Sequence, residues 1–168
     1  FEAFPVPQWQ TEIAVGLTGA MLCSQVFGGA MAARGRGVIL NIASDLGVIA
    51  PDQRLYRQPN VTREEEQPVK PVTYSVIKHG LIGLTKNLAA EYGPHVTCNA
   101  IAPGYIRTEL NVPLQQNRKF CAMLEQRTAA NRWGTPAELG GAAVFLASAA
   151  SDYVHGTVIP VDGGWLAR

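Results

Sequence analysis

The stretch VILNIA, residues 38–43, decides the fold class of this chain. It is short, apolar and rich in β-branched residues, which is typical of a buried strand in a parallel sheet. A second run of this kind, VTCNAIA at 96–102, ends at Pro103, and a third, TVIPV, occupies 157–161. The segments between these runs are long enough to hold helical crossovers. The pattern therefore predicts an α/β fold with a parallel sheet of about three strands and helices on both faces.

The segments around the strands show helical periodicity. Residues 9–34 carry apolar side chains at steps of three and four, and their other positions are also apolar, so we expect a helix buried nearly all round. Residues 71–92 form the clearest amphipathic helix, which Gly93 ends. A less regular helix is predicted over about 113–128. Residues 135–138, TPAE, carry the capping signals that open a further helix.

Composition limits the classes of function. The chain has 168 residues, 47% of them hydrophobic and 16% charged, and a net charge of +1. We therefore expect one domain over 1–168, with no footprint for nucleic acid or for an anionic membrane. The apolar runs are interrupted before the roughly 18 residues that a membrane span needs. Three cysteines without CxxC spacing predict neither a disulfide framework nor a metal site, and they favour a cytoplasmic protein.

Residues 52–70 break the pattern of alternating helices and strands. This segment is rich in charged side chains and contains two prolines, so it is predicted to be a surface insertion between two ordered elements. A loop of this length in a compact domain is either functional or mobile. Both interpretations, a functional insertion and a plain surface loop, stay open from the sequence.

Tyr74 and Lys78 form the sharpest chemical signal. At positions i and i+4 they share one face of the predicted helix, where the ammonium is expected to lower the pKa of the phenol. Such a pair can donate or accept a proton near neutral pH. Ser44 follows the first strand and Pro103-Gly104 ends the second, at the sheet edge where open α/β folds bind ligands. The alternative is a Tyr at the edge of the core with its Lys in solvent.

Five motifs, in this order, carry a family resemblance: LTGA at 17–20, NIAS at 41–44, YSVIK at 74–78, NAIAPGYIRT at 99–108 and VDGG at 161–164. Together they resemble the classical short-chain dehydrogenase/reductase family over nearly the whole chain. The resemblance implies a Rossmann-type sheet and hydride transfer between NAD or NADP and an alcohol or carbonyl.

The resemblance also implies roles for single residues. Tyr74 is expected to be the general acid/base, Lys78 to lower its pKa and hold the nicotinamide ribose, and Ser44 to bind the substrate oxygen. Residues 109–131 are expected to form the lid that selects the substrate. Four residues are expected along the cofactor, together with Tyr74 and Lys78: Pro103, Gly104, Ile106 and Thr108. Asn99 and the 162–164 turn are interpreted as structural.

Further expectations concern partners and substrate. In the family, helices equivalent to 9–34 and 71–92 form the main dimer interface, so a homo-oligomer is expected. The stretch 100–108 is similar to sugar-acid and polyol dehydrogenases, which points to a small polyhydroxylated substrate.

Two departures from the family pattern support an alternative. Gly16 occupies the place of the family's catalytic Asn in the first helix. No TGxxxGxG turn occurs, so about the first third of a usual chain is not among these residues. The alternative is a non-catalytic, truncated remnant that self-associates, through an exposed sheet edge among other surfaces. A sugar dehydratase or epimerase of the extended branch shares YxxxK, but Pro103-Gly104 and residues 162–164 favour the dehydrogenase branch.

Overall fold

The structure is a computed structural model that describes residues 1–58 and 60–167. Positions 59 and 168, which belong to the predicted insertion and the predicted domain, lie outside the described residues. The helices and strands, joined by short 3₁₀ turns, are α1 (Val6–Ala33), β1 (Gly37–Ile42), α2 (Val72–Tyr92), β2 (Val96–Pro103), α3 (Val112–Gln116), α4 (Arg118–Arg127), α5 (Pro136–Leu146) and β3 (Val158–Val161).

The three strands form one parallel sheet in the order β1-β2-β3. Helices pack on both faces, with α2 against the two first strands and α5 in contact with all three. This confirms the predicted α/β class and the partial Rossmann-type sheet. Only the central strand β2 is buried as predicted, because β1 lies at the edge of the sheet and Ile42 is 51% exposed.

Helix α2 is fixed to the sheet by apolar and polar contacts. Leu88 and Ala89 of α2 pack against Val96 and Cys98 of β2 in a buried cluster. On β1, the Asn41 side chain donates to Thr85 Oγ1 at 2.9 Å. Because buried polar groups need partners, this bond fixes the end of β1 relative to α2.

The expectation that α1 is buried nearly all round is wrong. One side of this helix, which contains two short π-helical segments, packs on α2, where Tyr92 Oη donates to the Ser24 carbonyl at 3.1 Å. The other sides expose large apolar side chains, among them Val15, Val26 and Phe27. The helix is apolar as predicted, but its main contacts among the described elements are with α2 and β1 on one side.

Helix α1 is also long and apolar enough to cross a membrane by length and composition. Its 28 residues include a window with a mean hydropathy of 1.5, of which 11% is buried. This differs from the expectation that every apolar run is too short, because the interrupting Gly, Ala, Thr and Ser residues hardly lower the average. Core helices of globular proteins meet the same criterion.

The helices after β2 differ from the prediction at one point. The single helix expected over 113–128 is two helices, because Asn117 has extended backbone and its side chain accepts a bond from Phe120 N at 3.1 Å. Helix α5 begins at Pro136 as predicted, with Glu138 accepting a bond from the backbone N–H of Thr135 at 2.8 Å. The segment 109–131 is therefore helical over most of its length.

Candidate active site

Ser44 and Tyr74 are brought together by a tight turn at the end of β1. Ser44 follows the strand, is buried, and begins a 3₁₀ turn over Asp45–Gly47. Gly47 lies so close to α2 that a Cβ there would be 2.7 Å from the Lys78 carbonyl oxygen. Because glycine permits this approach, the turn carries Ser44 to the first helical turns of α2, where Tyr74 lies.

The hydroxyl groups of Ser44 and Tyr74 form the centre of the site. Tyr74 Oη donates to Ser44 Oγ at 3.4 Å, and Ser44 Oγ donates to Asp45 Oδ1 at 2.7 Å. Lys78 Nζ donates to the Ile42 carbonyl at 2.8 Å, beside the same strand end. The structure thus assembles Ser44, Tyr74 and Lys78 at the carboxyl end of β1. A substrate oxygen could contact both hydroxyls there.

The pKa of Tyr74 is raised in this structure, whereas the sequence predicted that Lys78 lowers it. Burial of the phenol is the main cause, Asp45 adds to it, and the hydrogen bond with Ser44 acts in the opposite direction. The Lys78 ammonium bonds a backbone carbonyl and lies 5.7 Å from the Tyr74 ring centroid. Burial, and then the nearby Lys70 charge, lower the pKa of Lys78.

Asp45 is a site residue that the motif reading missed. It is buried, its Oδ1 accepts bonds from Ser44 Oγ and from Leu46 N, and its Oδ2 is buried without a partner among the described residues. Burial raises its pKa above the usual carboxyl value, against the lowering effect of those two bonds, and Asp162 raises it further. The sequence feature that could have identified Asp45 as a site residue is its position directly after Ser44.

The insertion contributes a second missed residue, Lys70. Its ammonium lies 3.7 Å from the centroid of the Tyr74 ring, in a cation–π contact. Gln53 holds the Lys70 backbone at both polar groups: Lys70 N donates to Gln53 Oε1 at 2.8 Å, and Gln53 Nε2 donates to the Lys70 carbonyl at 3.0 Å. At least this part of the insertion belongs to the site.

A third missed residue, Tyr56, also belongs to the insertion and lies near Tyr105 in the segment after β2. Burial raises the pKa of both the Tyr56 and the Tyr105 phenol, and the neighbouring Tyr56 raises that of Tyr105 further. The Tyr105 ring in turn packs edge-on against Phe120, Trp133 and Trp165, with centroid distances of 4.9–5.8 Å. These aromatic contacts join the insertion, α4 and the chain end around one side of the site.

The four residues expected along the cofactor do not all offer side chains to a ligand. Pro103 and Gly104 lie at the end of β2, beside β3, with Gly104 N donating to the Val161 carbonyl at 3.1 Å. Thr108 is exposed. Ile106 is only 7% exposed, and its side chain packs at Gly134, where a Cβ would lie 2.6 Å from Ile106 Cδ1. Its side chain is therefore part of the core.

Two motif residues have the structural roles that the sequence indicated. Asn99 Nδ2 donates to the Val154 carbonyl at 2.7 Å, and Asn99 Oδ1 accepts from Thr157 N at 3.1 Å. These bonds fix the loop before β3. Asp162 accepts bonds from Gly164 N and Leu166 N, which closes the turn after β3.

The site residues fit the nicotinamide part of a dinucleotide cofactor. A lysine ammonium has three donors, and Lys78 uses one on the Ile42 carbonyl, so two remain for ribose hydroxyls. The carboxyl ends of β1 and β2 lie side by side there, as expected for a ligand crevice in an α/β sheet. In the part of the chain that the structure describes, no group of three or more His, Cys, Asp or Glu side chains could hold a metal.

Comparison with known proteins defines the class. A family model described as enoyl-(acyl carrier protein) reductase matches residues 61–166. Taken with the relatives below, this match shows that the chain belongs to the classical short-chain dehydrogenase/reductase family.

Three similar proteins illustrate the relationship. A 2-dehydro-3-deoxy-D-gluconate 5-dehydrogenase of Bacillus subtilis (strain 168) is 39% identical, over 99% of this chain and 59% of the relative. A galactitol 2-dehydrogenase (L-tagatose-forming) of Cereibacter sphaeroides is 35% identical, over 94% and 56%. The crystal structure of a gluconate 5-dehydrogenase from Burkholderia cenocepacia J2315, in complex with NADP and tartrate, has a TM-score of 0.85 and 36% identity, over 99% and 59%. The chain thus spans about three fifths of each relative.

Proposed function

We propose that this chain is the catalytic part of an NAD- or NADP-dependent oxidoreductase acting on a secondary alcohol or ketone of a sugar acid or polyol. The observation that carries the proposal is the pair of hydroxyls, Tyr74 Oη and Ser44 Oγ, 3.4 Å apart at the carboxyl end of β1. The three relatives above support the substrate class by the activities in their names, and the Burkholderia structure supports NADP by its bound ligand.

In this proposal Tyr74 moves the proton. For oxidation, the phenolate of Tyr74 accepts the proton of the substrate hydroxyl while the C–H carbon loses a hydride. NAD(P)⁺, when bound, accepts that hydride. Ser44 holds the substrate oxygen next to Tyr74, and Lys78 binds the nicotinamide ribose with its free donors. For reduction, the neutral phenol gives its proton to the carbonyl oxygen.

Several finer assignments belong to the same proposal. Pro103, Gly104 and Thr108 line the cofactor, with Ile106 contributing through its backbone. Residues 109–131 act as the substrate lid, since Leu110 is 93% exposed there and the neighbouring groove of about 600 Å³ has room for a ligand. The protein works as a homo-oligomer through α1 and α2. The three unpaired cysteines support a cytoplasmic location.

The experiment is an activity screen of the full-length protein with two cofactors and two classes of substrate, sugar acids and polyols. NAD⁺ and NADP⁺ reduction is followed spectrophotometrically with a series of aldonic acids and with the matching polyols. We expect oxidation of members of at least one class, and the reverse reaction with the corresponding ketone. Absence of oxidation and of ketone reduction with every pair and both cofactors would contradict the proposal.

A second candidate is a non-catalytic, self-associating module, as the sequence alternative stated. The observation that favours it is the exposed apolar surface of α1, which includes Val15 and Phe27. Its test is equilibrium binding of NADPH by the full-length protein. Micromolar binding would contradict this candidate, and failure to bind together with an inactive screen would support it.

A further inference from the structure

Lys70 has no role in the proposed proton transfer, yet its ammonium lies against the ring of the catalytic tyrosine. Within residues 1–58 and 60–167, Lys70 forms no ion pair, and its side chain is half-buried. A half-buried cation without an anionic partner is costly, because water no longer solvates it fully. Such a cation is an available binding group for an anion.

The position of Lys70 is determined by the fold. Two hydrogen bonds with the Gln53 side chain, one donated and one accepted by the Lys70 backbone, fix that backbone, and the Lys70 ammonium lies 3.7 Å from the centroid of the Tyr74 ring. A fixed cation binds an anion with a smaller loss of side-chain entropy than a mobile one. The Lys70 ammonium therefore lies against the same aromatic ring that carries the reacting hydroxyl of Tyr74.

There is space beside this cation. A cavity of about 500 Å³ is lined by the polar residues Lys70, Gln53 and Ser75 and otherwise by apolar residues, among them Pro51 and Val72. The charge of Lys70 is only partly compensated by Asp45, since burial favours the neutral form of that carboxyl. Asp162 adds further negative charge on the Asp45 side. With the positive charge of Lys70 set against the negative charge near Asp45 and Asp162, a singly charged anion fits this site better than a phosphate dianion.

We infer that Lys70 binds the carboxylate of the substrate, so that the enzyme prefers a sugar acid to the polyol of the same carbon skeleton. This inference rests on the proposed function and narrows its substrate class. Lys70 is then a specificity-determining residue supplied by the insertion. The carboxylate binds at Lys70 while the hydroxyl that is oxidised lies at Tyr74 and Ser44.

The test compares acids and polyols that differ only at one terminal carbon: gluconate with sorbitol, galactonate with galactitol, and xylonate with xylitol. For the full-length enzyme we expect kcat/KM to be at least about tenfold higher for the acid of the best pair, the size of one charge-assisted hydrogen bond. Equal or better oxidation of the polyol would overturn the inference and leave the proposed function intact. Oxidation of no pair would mean that the proposed function itself has failed. A sorbitol phosphate oxidised faster than any acid would overturn the choice of a carboxylate.

Substitutions test whether Lys70 is the residue that gives the preference for the acid over the polyol. Lys70→Gln is expected to lower the ratio of kcat/KM for the acid to kcat/KM for the matching polyol at least about tenfold. Lys86→Gln, on the exposed face of α2, is the matched control and should leave this ratio unchanged. If Lys70 only neutralises Asp45, the double variant Asp45→Asn/Lys70→Gln would recover binding of the acid. We expect no recovery, and recovery would overturn the inference. If Lys70→Gln does not fold, the comparison of matched substrates on the wild-type enzyme still decides.

Discussion

At the residue scale, the chemistry depends on one buried chain of hydrogen bonds. Tyr74 donates to Ser44, and Ser44 donates to Asp45, so the proton of the serine hydroxyl points at the Asp45 carboxyl group. The Ser44 oxygen accepts from Tyr74 Oη at 3.4 Å and from Leu46 N at 3.2 Å, so a substrate hydroxyl that donates to Ser44 would replace one of these two donors. Asp45 thus orients the hydroxyl that would hold the substrate in the proposed mechanism, although only Ser44, Tyr74 and Lys78 belong to the recognised motifs.

The burial of Asp45 also leads to a prediction about the stability of the fold. Its pKa is raised in the folded protein above the ordinary 3.8, mainly by burial. The folded state therefore binds more protons than the unfolded state just above pH 3.8, and this group's contribution to stability falls as the pH rises through the folded pKa. We expect Asp45→Asn to increase the free energy of unfolding at neutral pH and to flatten its pH dependence, measured by chemical denaturation at a series of pH values. The surface variant Asp152→Asn is the control, and a loss of stability in Asp45→Asn at neutral pH would contradict the account.

At the scale of elements, α1 and α2 approach closely because each helix places a glycine opposite a large side chain of the other helix. Gly80 of α2 faces Leu17, and Gly16 of α1 faces Ile77 so closely that a Cβ at Gly16 would lie 2.8 Å from Ile77 Cδ1. This close contact gives a structural reason why the chain has glycine at position 16, where the family pattern has asparagine. The asparagine that the family carries there does not fit while Ile77 keeps its position.

The corresponding prediction is a coupled pair of substitutions. Gly16→Asn is expected to lower the free energy of unfolding by about 1–3 kcal/mol, because the new side chain overpacks against Ile77. Ile77→Ala in the same molecule should recover part of this loss, so that the double variant is more stable than the sum of the single effects. Gly19→Asn is the matched control, since a Cβ there meets only an ordinary contact at 3.6 Å. Additive losses in the double variant would contradict the proposed contact.

At the scale of the whole molecule, the described residues leave two surfaces open: the edge of the sheet at β1 and the outer sides of α1. Large apolar side chains are exposed on both helices, among them Leu22 and Phe27 of α1 and Val76 of α2. Monomeric proteins rarely expose apolar surface of this extent without a partner. A second copy of the chain is the proposed partner for α1 and α2.

This surface predicts self-association. The 168-residue chain by itself should elute as a dimer or larger species in size-exclusion chromatography with light scattering, above its own mass of 18.0 kDa. Phe27→Glu places a charge on the exposed face of α1 and should shift the population toward monomer. Tyr153→Glu, at a fully exposed position elsewhere, should not. A uniform 18.0 kDa monomer of the unsubstituted chain would contradict the prediction.

The sequence predicted best what depends on local pattern. Periodicity placed α2 to within a residue, and short apolar runs placed β1, β2 and β3. It failed where the answer depends on neighbours: the burial of α1 depends on which elements cover it, and periodicity does not contain that information. Lys70 and Asp45 were missed for the same reason, because only the folded turn and insertion bring them to Tyr74.

The most direct test of the central claim is the loss of one oxygen atom from Tyr74. In the full-length protein, Tyr74→Phe removes the group that transfers the proton and should lower kcat with the best substrate by at least about a hundredfold, with cofactor binding retained. Tyr92→Phe, which loses only a bond to the Ser24 carbonyl, is the matched control and should keep nearly full activity. A Tyr74→Phe enzyme as active as the Tyr92→Phe enzyme would contradict the assignment of Tyr74, and with it the proposed active site.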